Sequence, residues 1–201
     1  KAMEDPSQEV AAAAVAALAR LQNKKAVDPL LTWIVKHDSE EGHRAAASAL
    51  TTILDSTGMT RVAESLLHSS GQATVTLIRL LAWSGDNGWF KTVYPYTTSE
   101  DPGVRAVALT SLGALSSFND QHKILSLLET ATDRAEITEL QRALLTAAMK
   151  HEDPEQRSDL ILEAIEKGGD RQKLIPLLAV TGGEKALKLV ANEFENGDAA
   201  I

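Results

Sequence analysis

The sequence predicts an all-α fold, a solenoid of about six stacked helix pairs. Three observations lead there. Ala and Leu are abundant, only 4% of residues are aromatic and β-branched residues never gather into alternating runs, a composition that favours helix and leaves almost no strand. Apolar residues recur four apart, which stacks them on one helical face. The same apolar frame then returns about every 32 residues, as it does in a chain built from one repeated supersecondary unit.

Taken in order, the frame reads Val10, Ala14 and Leu18, then Gly42, Ala46 and Leu50, Ala73, Leu77 and Leu81, Val104, Ala108 and Leu112, and more loosely Ile137, Gln141 and Leu145. The closing Leu residues follow one another by 32, 31, 31 and 33 positions. Between these helices lies another set, with apolar pairs at helical spacing. They are Leu30-Leu31 with Ile34-Val35, Val62-Ala63 with Leu66-Leu67, Trp89-Phe90 with Val93-Tyr94, Ile124-Leu125 with Leu127-Leu128, Leu160-Ile161 with Ala164-Ile165, and Leu187 with Val190. About twelve helices result. Asp5-Pro6, Asp38-Ser39 and Asp101-Pro102 each precede a frame helix, where Asp caps free N–H groups and Pro suits the first turn. Gly58, Gly71, Gly88 and Gly168-Gly169 mark further breaks.

The stretch "DPGVRAVALTSLGAL", from Asp101, resembles the HEAT repeat, whose motif is Asp-Pro-x-Val-Arg-x-x-Ala followed by a Leu-rich helix end. "KKAVDPLLTWIVKHDSEEGHRAAASALTTIL" resembles a whole unit, and the short period is similar to that of phycobilin-lyase-type bacterial proteins. The resemblance covers nearly the whole chain, with units after Asp133 and Gly168 departing from the motif. It implies a right-handed superhelix whose Val-Arg helices line a concave surface. It also implies a structural ladder of Asp38 and Arg44 with Asp101 and Arg105. The units are 1–22 as a half repeat, then 23–55, 56–85, 86–117, 118–150 and 151–182, and 183–201 as a second half repeat. Because Asp5-Pro6 and Gly197-Asp198 fall at mid-repeat turns, the expectation is a segment of a longer, multidomain bacterial protein.

Charge narrows the function. There are 28 acidic and 20 basic residues, a net charge of -8, and no basic run beyond Lys24-Lys25, whereas phosphate binding needs a clustered cationic surface. Nucleic acid is therefore not an expected partner. No apolar run is long enough for membrane insertion, and the absence of cysteine removes disulfides and thiolate chemistry. The five histidines form no metal-binding spacing, and no phosphate loop or nucleophile elbow occurs. Asp86-Asn87-Gly88 reads as a turn with a helix cap, because a calcium loop needs further acidic positions. No catalytic residue, metal or cofactor is expected.

Five of the eight aromatic residues fall between Trp83 and Tyr96. Trp89, Phe90 and Tyr94 occupy core-type positions of the repeat. Trp83 shares its position with Arg20, Thr52 and Ala114, while Tyr96 and Trp33 share theirs with Ser69 and Thr130. Polar or small equivalents predict exposure, and exposed aromatics anchor partners. Trp83, Tyr96 and Trp33 are therefore the candidate binding residues. The expected function is a non-enzymatic scaffold that holds a protein partner or spaces neighbouring domains, in a periplasmic or cell-surface setting ahead of a cytoplasmic one. The alternatives are an enzyme similar to the HEAT-like DNA glycosylases, using Trp83, Trp33 and Asp86, and a chromophore-lyase-type subunit. The frame itself is testable: Leu112→Ala should cost about 2–5 kcal/mol, read as a lowered denaturation midpoint.

Overall fold

Most helices of this chain begin where an Asp or Ser side chain meets the first free N–H groups. Asp55 accepts from Gly58 N, Asp101 from Gly103 N and Val104 N, Asp133 from Ala135 N and Glu136 N, Asp153 from Glu155 N, and Asp170 from Gln172 N. Each satisfies donors that the helix cannot pair internally. The computed structural model describes residues 24–195 and, ahead of them, helical positions Val10, Ala13, Ala14, Val15, Ala17 and Leu18. The Asp5-Pro6 and Gly197-Asp198 turns lie outside the described residues.

The helices are α1 (Val27–Lys36), α2 (Glu40–Ile53), α3 (Ser56–Leu66), α4 (Gly71–Ser84), α5 (Phe90–Val93), α6 (Pro102–Leu115), α7 (Gln121–Thr130), α8 (Arg134–Ala148), α9 (Pro154–Glu166), α10 (Arg171–Thr181) and α11 (Glu184–Glu195). No strand occurs among the described residues. The fold is all-α, built as a HEAT-like solenoid is, from stacked helix pairs. It divides into two compact units, Lys1–Ser111 and Leu112–Ile201, with the boundary inside α6.

In the first unit α1 packs on α2 and α3, and α4 packs on α2 and α3. Two layers result, with α1 and α3 in one and the frame helices α2 and α4 in the other. Leu30, Ile34, Leu50, Val62, Leu66, Leu77 and Leu81 fill the space between them and are buried. In the second unit α8 packs on α7 and α10, while α11 packs on α9 and α10. Here α8 and α10 form the frame layer, over a core that includes Leu112, Ile124, Leu128, Leu144, Ile161 and Leu178.

Three sequence expectations are corrected. The frame of α8 is one residue earlier than Ile137, Gln141 and Leu145: Leu140 and Leu144 are buried, and the Gln141 amide donates to Lys173 O at 2.8 Å. The helix expected around Trp89 to Tyr94 shrinks to the single turn of α5 between 3-10 segments Asn87–Trp89 and Tyr94–Thr98, because Pro95 has no N–H to continue it. Within it Phe90 and Val93 are in the core, Phe90 stacked on Tyr94 with ring centroids 5.5 Å apart, while Trp89 and Tyr94 are half-buried.

The third correction is Trp33, predicted to be exposed and found 3% accessible. Its indole lies against Gly42 of α2, so closely that a Cβ there would stand 2.0 Å from the ring. It also stacks on His37 with centroids 4.7 Å apart. The missing side chain of Gly42 makes the room that Trp33 fills. This pairing reverses the usual effect of a helical glycine substitution. Propensity alone has Gly42→Ala stabilising by about 0.5–1 kcal/mol, but overpacking against the indole should make it destabilising by about 1–3 kcal/mol. Chemical denaturation of the variant gives the sign directly.

Candidate functional site

The first turn of a frame helix carries the motif residue that was expected to form a ladder. The residue aligned with Arg105 proves to be His43 and not Arg44. Arg105 Nη1 donates to Ser99 O, six residues back, at 2.6 Å, and His43 Nε2 donates to His37 O, again six back, at 2.6 Å. Arg157 Nε repeats the tie to His151 O at 2.6 Å, from the Asp153-Pro154 start of α9 in the other layer. A carbonyl only accepts, so His43 carries its hydrogen on Nε2 in this bond. Its Nδ1 faces Thr76 Oγ1 of α4 at 3.2 Å.

Arg44 instead pairs with Glu40 of its own helix at 2.9 Å, with both side chains largely exposed. Asp38 is exposed, and Ser39 caps α2 in its place by accepting from Gly42 N. The proposed Asp38 to Arg44 rung is therefore not formed. Asp101 serves as the cap of α6. The signal that would have found His43 was its place directly after Gly42, the position that follows Val104 in the Asp101 repeat.

The three candidate aromatics are not brought together. Trp33 is in the core of α1 and α2. Tyr96 is half-buried, its hydroxyl donating to Leu66 O at the end of α3, 3.3 Å away. Burial pushes its phenol above the usual tyrosine value. Trp83 alone stands out, 56% accessible near the end of α4, with no hydrogen bond or ring contact among the described residues. Its position is exposed in every frame helix from α2 on: Thr52, Ala114, Thr146 and Val180 are exposed too.

Near Trp83 the frame layer of the first unit has a small hollow. It measures 170 Å³, lies between α2 and α4, and is lined by Glu40, Arg44, Ala47, Gln72, Thr76 and Arg79, with the buried His43 ring in its wall. Arg79 lies one helical turn before Trp83, on the same face, and is exposed with no partner among the described residues. Asp86, beside Trp83 in sequence, accepts from Gly88 N at 2.9 Å and caps the following 3-10 turn, as expected from Asp86-Asn87-Gly88.

Stacked helix pairs with a recurring Asp-Pro start and a tied-back Arg or His define a class, the α-helical repeat proteins. A family profile for HEAT repeats matches residues 1–79, which supports a HEAT-repeat assignment for that part of the chain. HEAT repeats generally mediate protein interactions as scaffolds, and the family is typically non-catalytic. No curated protein matches the sequence. No described helix is long and apolar enough to cross a membrane.

The assignment of His43 as the motif residue has a direct consequence. His43→Ala should cost about 1–3 kcal/mol, because the part-buried His37 carbonyl loses its donor and the buried ring is lost, although Thr76 keeps its bond to Gln72 O. Arg44→Ala should leave the unfolding midpoint unmoved, since it loses only an exposed pair on one helix. Thermal unfolding of both variants decides between the two registers.

Proposed function

We propose that the chain is a non-enzymatic scaffold or domain spacer for a protein partner, contacted in the first unit on the α2 and α4 face around Trp83. The observation that carries this reading is a tryptophan 56% accessible and one turn from Arg79, which lines a small hollow and has no partner among the described residues. Trp and Arg are the residues most enriched where interfaces concentrate their binding energy. Neither side chain has a structural task among the described residues, so both are available to a partner. Apolar ring area left in water is unfavourable, and a partner that covers it recovers about 25 cal/mol per Å² before the costs of association.

The glycosylase-like alternative drew on Trp83, Trp33 and Asp86. Trp33 is buried and the Asp86 carboxylate is engaged by a backbone N–H, which leaves that reading a single residue. Within the acidic chain, Arg79 beside the hollow suits a carboxylate or a backbone carbonyl of a protein ligand, whereas Arg44 is already paired with Glu40.

Affinity capture with the wild-type chain, Trp83→Ala and Arg79→Ala tests the proposal. A specific partner should lose at least about 30-fold in affinity with Trp83→Ala, the effect of removing an interface anchor, with folding stability unchanged. Equal recovery by all three proteins, or loss only where the variant is unfolded, would sink it.

A further inference from the structure

We propose that the groove between α7 and α9 in the second unit binds an extended peptide segment carrying two basic side chains. This rests on the scaffold reading only in taking protein segments as the ligand, and it concerns a different surface. A cleft of 510 Å³ and an adjoining hollow of 280 Å³ share His122, Leu160 and Glu163, so they form one continuous groove. Leu125 of α7 and Ala164 of α9 form its apolar floor. Its length and mixed lining suit a chain laid along it better than a compact apolar molecule.

The rim is acidic. Glu129, Asp159, Glu163 and Asp170 face the groove against one ammonium, that of Lys167. Glu163 holds that ammonium at 2.5 Å, and Asp170 caps α10. Glu129 and Asp159 have no partner for their carboxylates among the described residues. They sit at opposite ends of the groove: Asp159 lines the hollow together with Gln121, and Glu129 lies two turns further along α7. Eight residues of helix rise about 12 Å, which an extended chain covers in about four residues. Two Lys or Arg residues about four positions apart would thus meet both carboxylates.

A second, independent feature points to a peptide. Gln121 is only 3% accessible and lines the groove. Its Nε2 donates to Phe118 O at 3.0 Å, which fixes the amide, and its Oε1 has no donor. Reversing the amide would set oxygen against oxygen at Phe118. A buried acceptor without a partner is unfavourable by about 1–3 kcal/mol, and a peptide N–H at this wall of the groove would satisfy it once the amide turns outward, since Oε1 is closed to solvent.

The test uses the whole chain and fluorescence anisotropy at low salt. The probe is a labelled Gly/Ser heptapeptide with two arginines four positions apart; the comparison has glutamates in their place. The arginine peptide should bind and the glutamate peptide should not. Glu129→Gln with Asp159→Asn should weaken binding at least 10-fold. Glu64→Gln with Glu100→Gln, which removes the same charge from exposed sites in the first unit, should leave binding unchanged. All four residues are exposed, so the variants keep the fold. No binding, equal weakening in both double variants, or displacement of the peptide by an equimolar linear polyamine would each overturn the proposal. Trp83-dependent partner capture would be untouched by any of these results, so the two readings fail separately.

Discussion

A short helix in this chain cannot complete itself, and the neighbour one repeat away completes it. Ten to fifteen residues leave an apolar stripe on one side and four unpaired carbonyls at the C-terminal end. The stripe is covered by the next pair of helices. The carbonyls are met by long side chains from elsewhere in the stack. Tyr96 reaches Leu66 O, Lys150 reaches Ser116 O, and Lys173 bonds Leu128 O at 3.0 Å and Ala131 O at 2.8 Å. Most N-terminal ends among the described helices are served locally, by the Asp and Ser caps, whereas α1 and α4 have no side-chain cap and the first N–H of α11 bonds the Glu155 carboxylate of α9. Local chemistry therefore starts most of these helices, while tertiary chemistry completes several of their C-terminal ends.

The polar links between repeats carry the period in their sequence separations. Lys24 meets Asp55 31 residues on, Arg61 meets Asp28 across 33, His43 meets Thr76 across 33, and Gln141 meets Lys173 across 32. Lys24 also holds the Asp55 carboxyl below the usual value, with help from the Gly58 N–H that Asp55 caps. One side chain then serves both its own helix start and the bond to the preceding repeat. Contacts of this kind make stability a nearest-neighbour property, as expected for a quasi-one-dimensional stack.

How far the sequence could be read follows from the same division. The helices, their period and the buried Leu50, Leu81 and Leu112 were legible because one stripe per helix recurs at fixed spacing. The register of α8 was not, since Ile137 and Leu145 are apolar like the buried Leu140 and Leu144, and only the packing chooses between them. Trp33 was misread because comparing single positions ignores the partner: its burial depends on the absent side chain of Gly42. His43 was overlooked because a histidine and an arginine look unrelated, yet both can donate to the carbonyl six residues back. Pro176, inside α10 on an exposed position, further blurred the frame toward the end of the chain. The groove between α7 and α9 had no sequence signal, since it exists only through the spacing of two helices.

Trp83 illustrates where such a stack can hold function. Two residues past the frame Leu, the side chain leaves the core whatever its identity, and Thr52, Ala114, Thr146 and Val180 all occupy that place without structural consequence. Positions of this sort are free to differ between repeats, because neither the apolar stripe nor the helix ends depend on them. Residues such as Tyr96 and Lys173 are not free, since each completes a neighbouring helix. A large aromatic at an unconstrained position is thus a stronger pointer to recognition than the same aromatic at a constrained one. That distinction separates Trp83 from Trp33 and Tyr96, which the comparison of repeat positions alone had placed together.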